Sequence, residues 1–233
     1  MAESFEQFFY VHIVESPSPS DFLNGLTEGR ALCSFLEMAG IQHQYNVAVN
    51  AEQFTIAMTD RFRESWSKFK CQPILHLSAH GNTDGIALTS QHERGDLIRW
   101  HDLGRMIKPI HDAYGGCLGV CMSSCEGLQG MRMFDVIEEA DLPFAWIIGP
   151  ETKVDVRDAA LAFSVLYRRM QCNNVENVIE AMRAASGVDG FEMICGETSQ
   201  KHFAQTQAPF YTEWALGRTS SPMTPPPSTE SSS

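Results

Sequence analysis

The stretch Pro73-Ile74-Leu75-His76-Leu77-Ser78-Ala79-His80-Gly81-Asn82-Thr83-Asp84-Gly85 passes from an apolar run into a polar segment punctuated by glycine. Such a run reads as a buried strand, Pro73–Ser78, that delivers Ala79–Gly85 as a loop at its carboxyl end. Upstream, Phe8–Val14 is a second buried strand, followed by a Ser16–Ser20 turn and a helix cap. Phe22, Leu26, Cys33 and Leu36 then form the apolar stripe of one helix, which Gly40 closes. A short strand at Tyr45–Val49 leads through Asn50, a good N-cap, into a helix with Phe54, Met58, Phe62 and Phe69 on its core face.

Downstream the pattern continues. Ile86–Thr89 and Asp96–Trp100 pair as a hairpin across the polar Gln91–Gly95 stretch, and a helix through Leu103, Ile107 and Ile110 is bent at Pro109 and ends at Gly115-Gly116. Cys117–Met122 is the fourth strand and breaks at Ser123–Gly127. A short helix near Phe134–Glu139, a strand at Phe144–Ile148, an amphipathic helix carrying Val156, Ala160, Phe163, Tyr167 and Met170, a helix from Val175 to Ala185 and a strand at Phe191–Cys195 follow. Strands alternating with helices define an α/β protein whose six-stranded sheet is mostly parallel, with one small hairpin added. Nothing interrupts the alternation, so residues 1–218 read as a single domain and the Ser/Thr/Pro-rich residues 219–233 as a disordered tail.

Composition narrows the function. The 233 residues are 43% hydrophobic, enough for a sizeable core, and carry a formal charge of −12 with no basic block. Nucleic acid is therefore not an expected partner. The first residues lack a basic, cleavable leader and no run reaches membrane-spanning length, so a soluble cytoplasmic protein without membrane attachment is expected. Seven cysteines, an odd number, point to free thiols in a reducing compartment.

Ligands of open parallel sheets bind beyond the carboxyl ends of the strands. His80 follows the third strand and Cys125 the fourth, so if those strands are neighbours the two side chains share one rim. A thiolate is the nucleophilic form of cysteine, and an imidazole can generate it. Gly81 and Gly127 permit tight turns there, and the backbone amides of Gly81 and Cys125 are candidate oxyanion donors.

Leu75–Gly81, Ser123-Ser124-Cys125-Glu126-Gly127 and Ile147-Ile148-Gly149-Pro150 together resemble the caspase-like cysteine peptidase superfamily, closest to its CHAT branch. Gly85–Leu88 and Trp100–Leu103 fit that branch as well, and the resemblance spans roughly Phe8 to Glu197. It implies a three-layer α/β/α sandwich with a caspase-like sheet and a cysteine endopeptidase acting through a Cys125/His80 dyad, without metal or cofactor. A specific protein or peptide substrate, a separate regulatory or activating protein, and a role in antiviral defence or cell death, such as cleavage of gasdermin-like proteins, are implied by the family alone. Caspases carry Gln, and metacaspases Asp, two positions before the nucleophile; this chain has Ser123, so neither substrate preference transfers. Ser123, Asp84, Glu151 and Asp155 are the candidate pocket residues, the three acids being able to select a basic side chain. The competing possibility is an inactive interaction or scaffold module on the same fold.

Other chemistry-bearing residues have plainer readings. Cys117 and Cys121 share a strand face and are core filling, and with Cys125 they span too far along one strand to close on a metal. His76 is a structural histidine on the face of His80, while His92, His101 and His111 are surface residues. Cys33, Cys71, Cys172 and Cys195 have no assigned chemistry.

Overall fold

The computed structural model describes residues 8–89, 96–133 and 143–196. The first half comprises β1 (Phe9–Ser16), α1 (Pro19–Asn24), α2 (Glu28–Ala39), β2 (His43–Val47), α3 (Ala51–Ile56) and, after one π turn at Ala57–Arg61, α4 (Phe62–Phe69). Next come β3 (Gln72–Asn82), β4 (Gly85–Ala87), β5 (Leu97–Arg99), α5 (Trp100–Ala113), β6 (Gly119–Ser123) and a 3-10 segment, Gly127–Met133. The chain then forms β7 (Trp146–Pro150), α6 (Val156–Gln171), α7 (Val178–Ser186) and β8 (Phe191–Cys195).

The main sheet has the order β2-β1-β3-β6-β7-β8 and is parallel except for the antiparallel pair β7–β8. β4 and β5 extend antiparallel from the end of β3. Alternation along the strands builds a core on each face. Leu75, Leu77, Val120 and Met122 pack with Phe54, Met58, Phe62, Leu103 and Ile107 on one side. Ile13, Ile74, Cys121 and Ile148 pack with Leu32, Leu36, Phe163, Leu166 and Met182 on the other. Helices thus cover both faces of a mostly parallel mixed sheet, an α/β architecture compatible with a three-layer sandwich. Burial of a ring such as Phe163 contributes about 1.5–3 kcal/mol.

Several expectations need correction. The first helical stretch is two helices, because Gly25 takes a left-handed φ of 71° and ends α1; Phe22 and Leu26 are exposed, and only Cys33 and Leu36 of the supposed stripe face the core cluster. β3 does not end at Ser78 but continues through His80-Gly81 to Asn82, held by pairing with β4. Pro109 lies inside α5, which continues to Ala113. Cys117 precedes β6 and is exposed, so only Cys121 fills the core. The core face of α6 is set by Ala159, Ala162, Phe163, Leu166 and Tyr167, and Val156 and Ala160 lie at its margins. His111 is buried rather than superficial. The helix expected near 134–139, the Gln91–Gly95 link with His92, and the tail 219–233 lie outside the described residues.

A buried histidine accounts for the π turn. A π turn releases a carbonyl from the α-helical ladder, and His12 on β1 lies with Nε2 3.0 Å from the Ala57 carbonyl and Nδ1 3.0 Å from the Ser65 hydroxyl. Burial lowers the His12 pKa from its usual 6.5 to about 4. The unfolded chain therefore binds the additional proton between those values, and stability falls as pH is lowered from 6.5 toward 4. Denaturant unfolding at pH 7, 5.5 and 4.5 is expected to show this loss, and His12→Gln should flatten the profile. A loss of equal size in His12→Gln would assign it to another group, Glu15 excluded, since its burial-raised pKa acts in the opposite direction.

Candidate active site

β3 and β6 are parallel neighbours whose register runs from Ile74 opposite Gly119 to Ser78 opposite Ser123, an offset of 45 residues. His80 and Cys125 stand at that same offset, two positions past the last rung. Alternation along β3 turns His76, Ser78 and His80 toward the α2/α6 face, since Ala79 packs into the opposite core. Cys121 of β6 faces α2/α6 as well.

The two strand ends touch through Gly81. A Cβ at this position would land on the carbonyl oxygen of Cys125 and lie 2.9 Å from both Cβ and Oγ of Ser124. Gly127 is similarly confined, a Cβ there coming within 2.6 Å of the Met122 carbonyl. Between these glycines the chain turns sharply: Glu126 adopts a left-handed φ of 57°, costly for a side chain with a Cβ. The Glu126 N–H donates to the Thr152 carbonyl at 3.1 Å and the Gly127 N–H to the Ser124 carbonyl at 2.9 Å. The Cys125 N–H has no such partner among the described residues.

Cys125 is half-buried, with Sγ 4.0 Å from the Val154 carbonyl. His80 is exposed, and its imidazole makes no hydrogen bond to the described residues, the Cys125 thiol included. The hairpin beyond His80 is nonetheless tied to the segment beyond Cys125. The Thr83 carbonyl accepts from Trp100 Nε1 at 3.1 Å and from Arg132 at 2.7 Å, while Asn82 Oδ1 takes the N–H groups of Asp84 and Gly85.

The pocket candidates divide. Asp84 and Glu151 are exposed, in the β3–β4 turn and after β7 respectively. Asp155 caps α6 and pairs with Arg157 at 2.8 Å, which holds its carboxyl down at about 2. Ser123 is buried with its hydroxyl donating to Glu28, at 2.6 and 2.7 Å from the two carboxylate oxygens.

That carboxylate escaped the sequence reading. Glu28, at the first turn of α2, also accepts from Ser78 Oγ at 2.7 Å and lies 3.3 Å from His76 Nε2, outside hydrogen-bond alignment. His76 Nδ1 is 2.6 Å from the Tyr167 hydroxyl, and burial holds the Tyr167 phenol neutral by raising its pKa far above the usual value. Burial likewise raises the neighbouring Cys121 thiol to about 12, so it is inert as a nucleophile. The signal was present: Glu28, Leu32 and Leu36 are spaced by four and share the buried face of α2. A cavity of about 420 Å³ between β2 and the π turn, lined by Tyr45, Asn46, Gln53 and Arg61 among others, includes none of these residues.

No helix among the described residues is long and apolar enough to cross a membrane. No family model matches the chain, and no curated protein sequence matches it.

Proposed function

We propose that this chain is a caspase-like cysteine endopeptidase in which Cys125 and His80 form the catalytic dyad. The supporting observation is the shared register: a thiol and an imidazole leave adjacent parallel strands at equal distance past the last rung, with Gly81 packed against the Cys125 carbonyl. In this scheme His80 takes the thiol proton and the Cys125 thiolate attacks the scissile carbonyl carbon. The N–H groups of Cys125 and Gly81 receive the oxyanion. His80 returns its proton to the leaving amine as the C–N bond breaks, and water then hydrolyses the thioester, releasing the acid and restoring the thiol. A specific protein substrate and a separate activating protein, implied by the family resemblance, belong to the same proposal.

A library of peptides bearing a thiol-reactive electrophile, varied at the residue preceding the reactive group, tests it. Site-resolved mass spectrometry is expected to find label on Cys125 with a preference for one residue class, and a slower rate in His80→Ala by about 10²-fold or more. Label spread over the exposed Cys117, Cys172 and Cys195, with Cys125 unmodified, would instead support a non-enzymatic module.

A further inference from the structure

A buried carboxylate has to be held by donors, because an uncompensated buried charge costs several kcal/mol. The Glu28 side chain is 1% exposed, and among the described residues no lysine or arginine reaches it. Its partners are the hydroxyls of Ser78 and Ser123, together with the helix N-terminus on which it sits, where negative charge is favoured. Those serines face each other across the last rung between β3 and β6. Past that rung the two strands share no ladder, yet His80 and Cys125 lie two residues further on.

We infer that Glu28 is a positioning residue: one carboxylate, delivered by α2, clamps the ends of β3 and β6 and sets the separation and orientation of His80 and Cys125. This rests on the dyad proposed above. His76, lodged between Glu28 and the Tyr167 hydroxyl, limits how the carboxylate can rotate. A substrate side chain does not reach Glu28 in this arrangement, since the carboxylate and both serines bonded to it are buried.

The test follows alkylation of Cys125 by iodoacetamide, resolved by peptide mass spectrometry from pH 5 to 9, in wild type, His80→Ala, Glu28→Gln and the double variant. Unfolding curves of each variant accompany the rates. In wild type, His80→Ala is expected to slow alkylation near neutral pH about tenfold, whereas in folded Glu28→Gln the same change should cost less than about twofold, with the pH profile shifted toward that of a free thiol. Loss of packing alone would not move that profile. An undiminished His80 effect in folded Glu28→Gln overturns the clamp and leaves the dyad standing. A silent His80→Ala in wild type removes the dyad, and the clamp with it. Should Glu28→Gln fail to fold, Ser123→Ala, which cuts only the tie to β6, is compared in the same way.

Discussion

Cys125→Ala is expected to lower kcat/KM toward the best peptide substrate by at least about 10⁴-fold while leaving the fold intact. The size follows from the chemistry: without the thiolate no acyl intermediate forms, and what remains is the contribution of the amide donors and substrate binding. Stability should change little, within about 1 kcal/mol, because the side chain is half-buried and its one hydrogen bond among the described residues, to the Val154 carbonyl at 4.0 Å, is at the limit for sulfur. Cys125→Ser should be nearly as inactive, since a hydroxyl is far less acidic than a thiol. Retention of more than a tenth of the activity in either variant would locate the nucleophile elsewhere.

The second large effect belongs to Gly81→Ala. The new methyl would collide with backbone, the carbonyl of Cys125, rather than with a flexible side-chain tip. The strand end must therefore retreat, carrying with it the His80 imidazole and the Gly81 amide. Displacement of a catalytic group by about 1 Å costs on the order of 10²-fold, and loss of one oxyanion donor 10²–10³-fold, so kcat should fall by about 10²–10³ with a smaller change in KM. Steady-state kinetics beside a thermal melt separate this from unfolding. An unchanged kcat in a folded variant would show that the strand ends do not meet as described.

The strand plan was legible because buried strands of a parallel sheet are continuous apolar runs, as in Ile74–Leu77 and Ile147-Ile148. The placement of His80 and Cys125 at neighbouring strand ends was legible from spacing, given the order of elements. What misled was local. Apolar side chains on both sides of Gly25 continued a helical stripe that a left-handed residue interrupts. Cys117 kept the period of Cys121, although the ladder begins only at Gly119. Glu28 was passed over because a lone acid is usually solvated, and the two serines that shelter it come from strands far away in sequence. The left-handed Glu126 carried no sequence signal, since glutamate has no preference for that conformation.

The residues of the Glu28 network are also made at widely separated points in synthesis. Its members leave the ribosome as Glu28, His76 with Ser78, Ser123, and last Tyr167, whose hydroxyl meets His76. A nascent chain that already displays Cys125 still lacks α6 and cannot complete the network. Because long-range contacts of this kind carry a high loop-closure cost, the proposed dyad, positioned as inferred above, is expected to stay latent until α6 has been made.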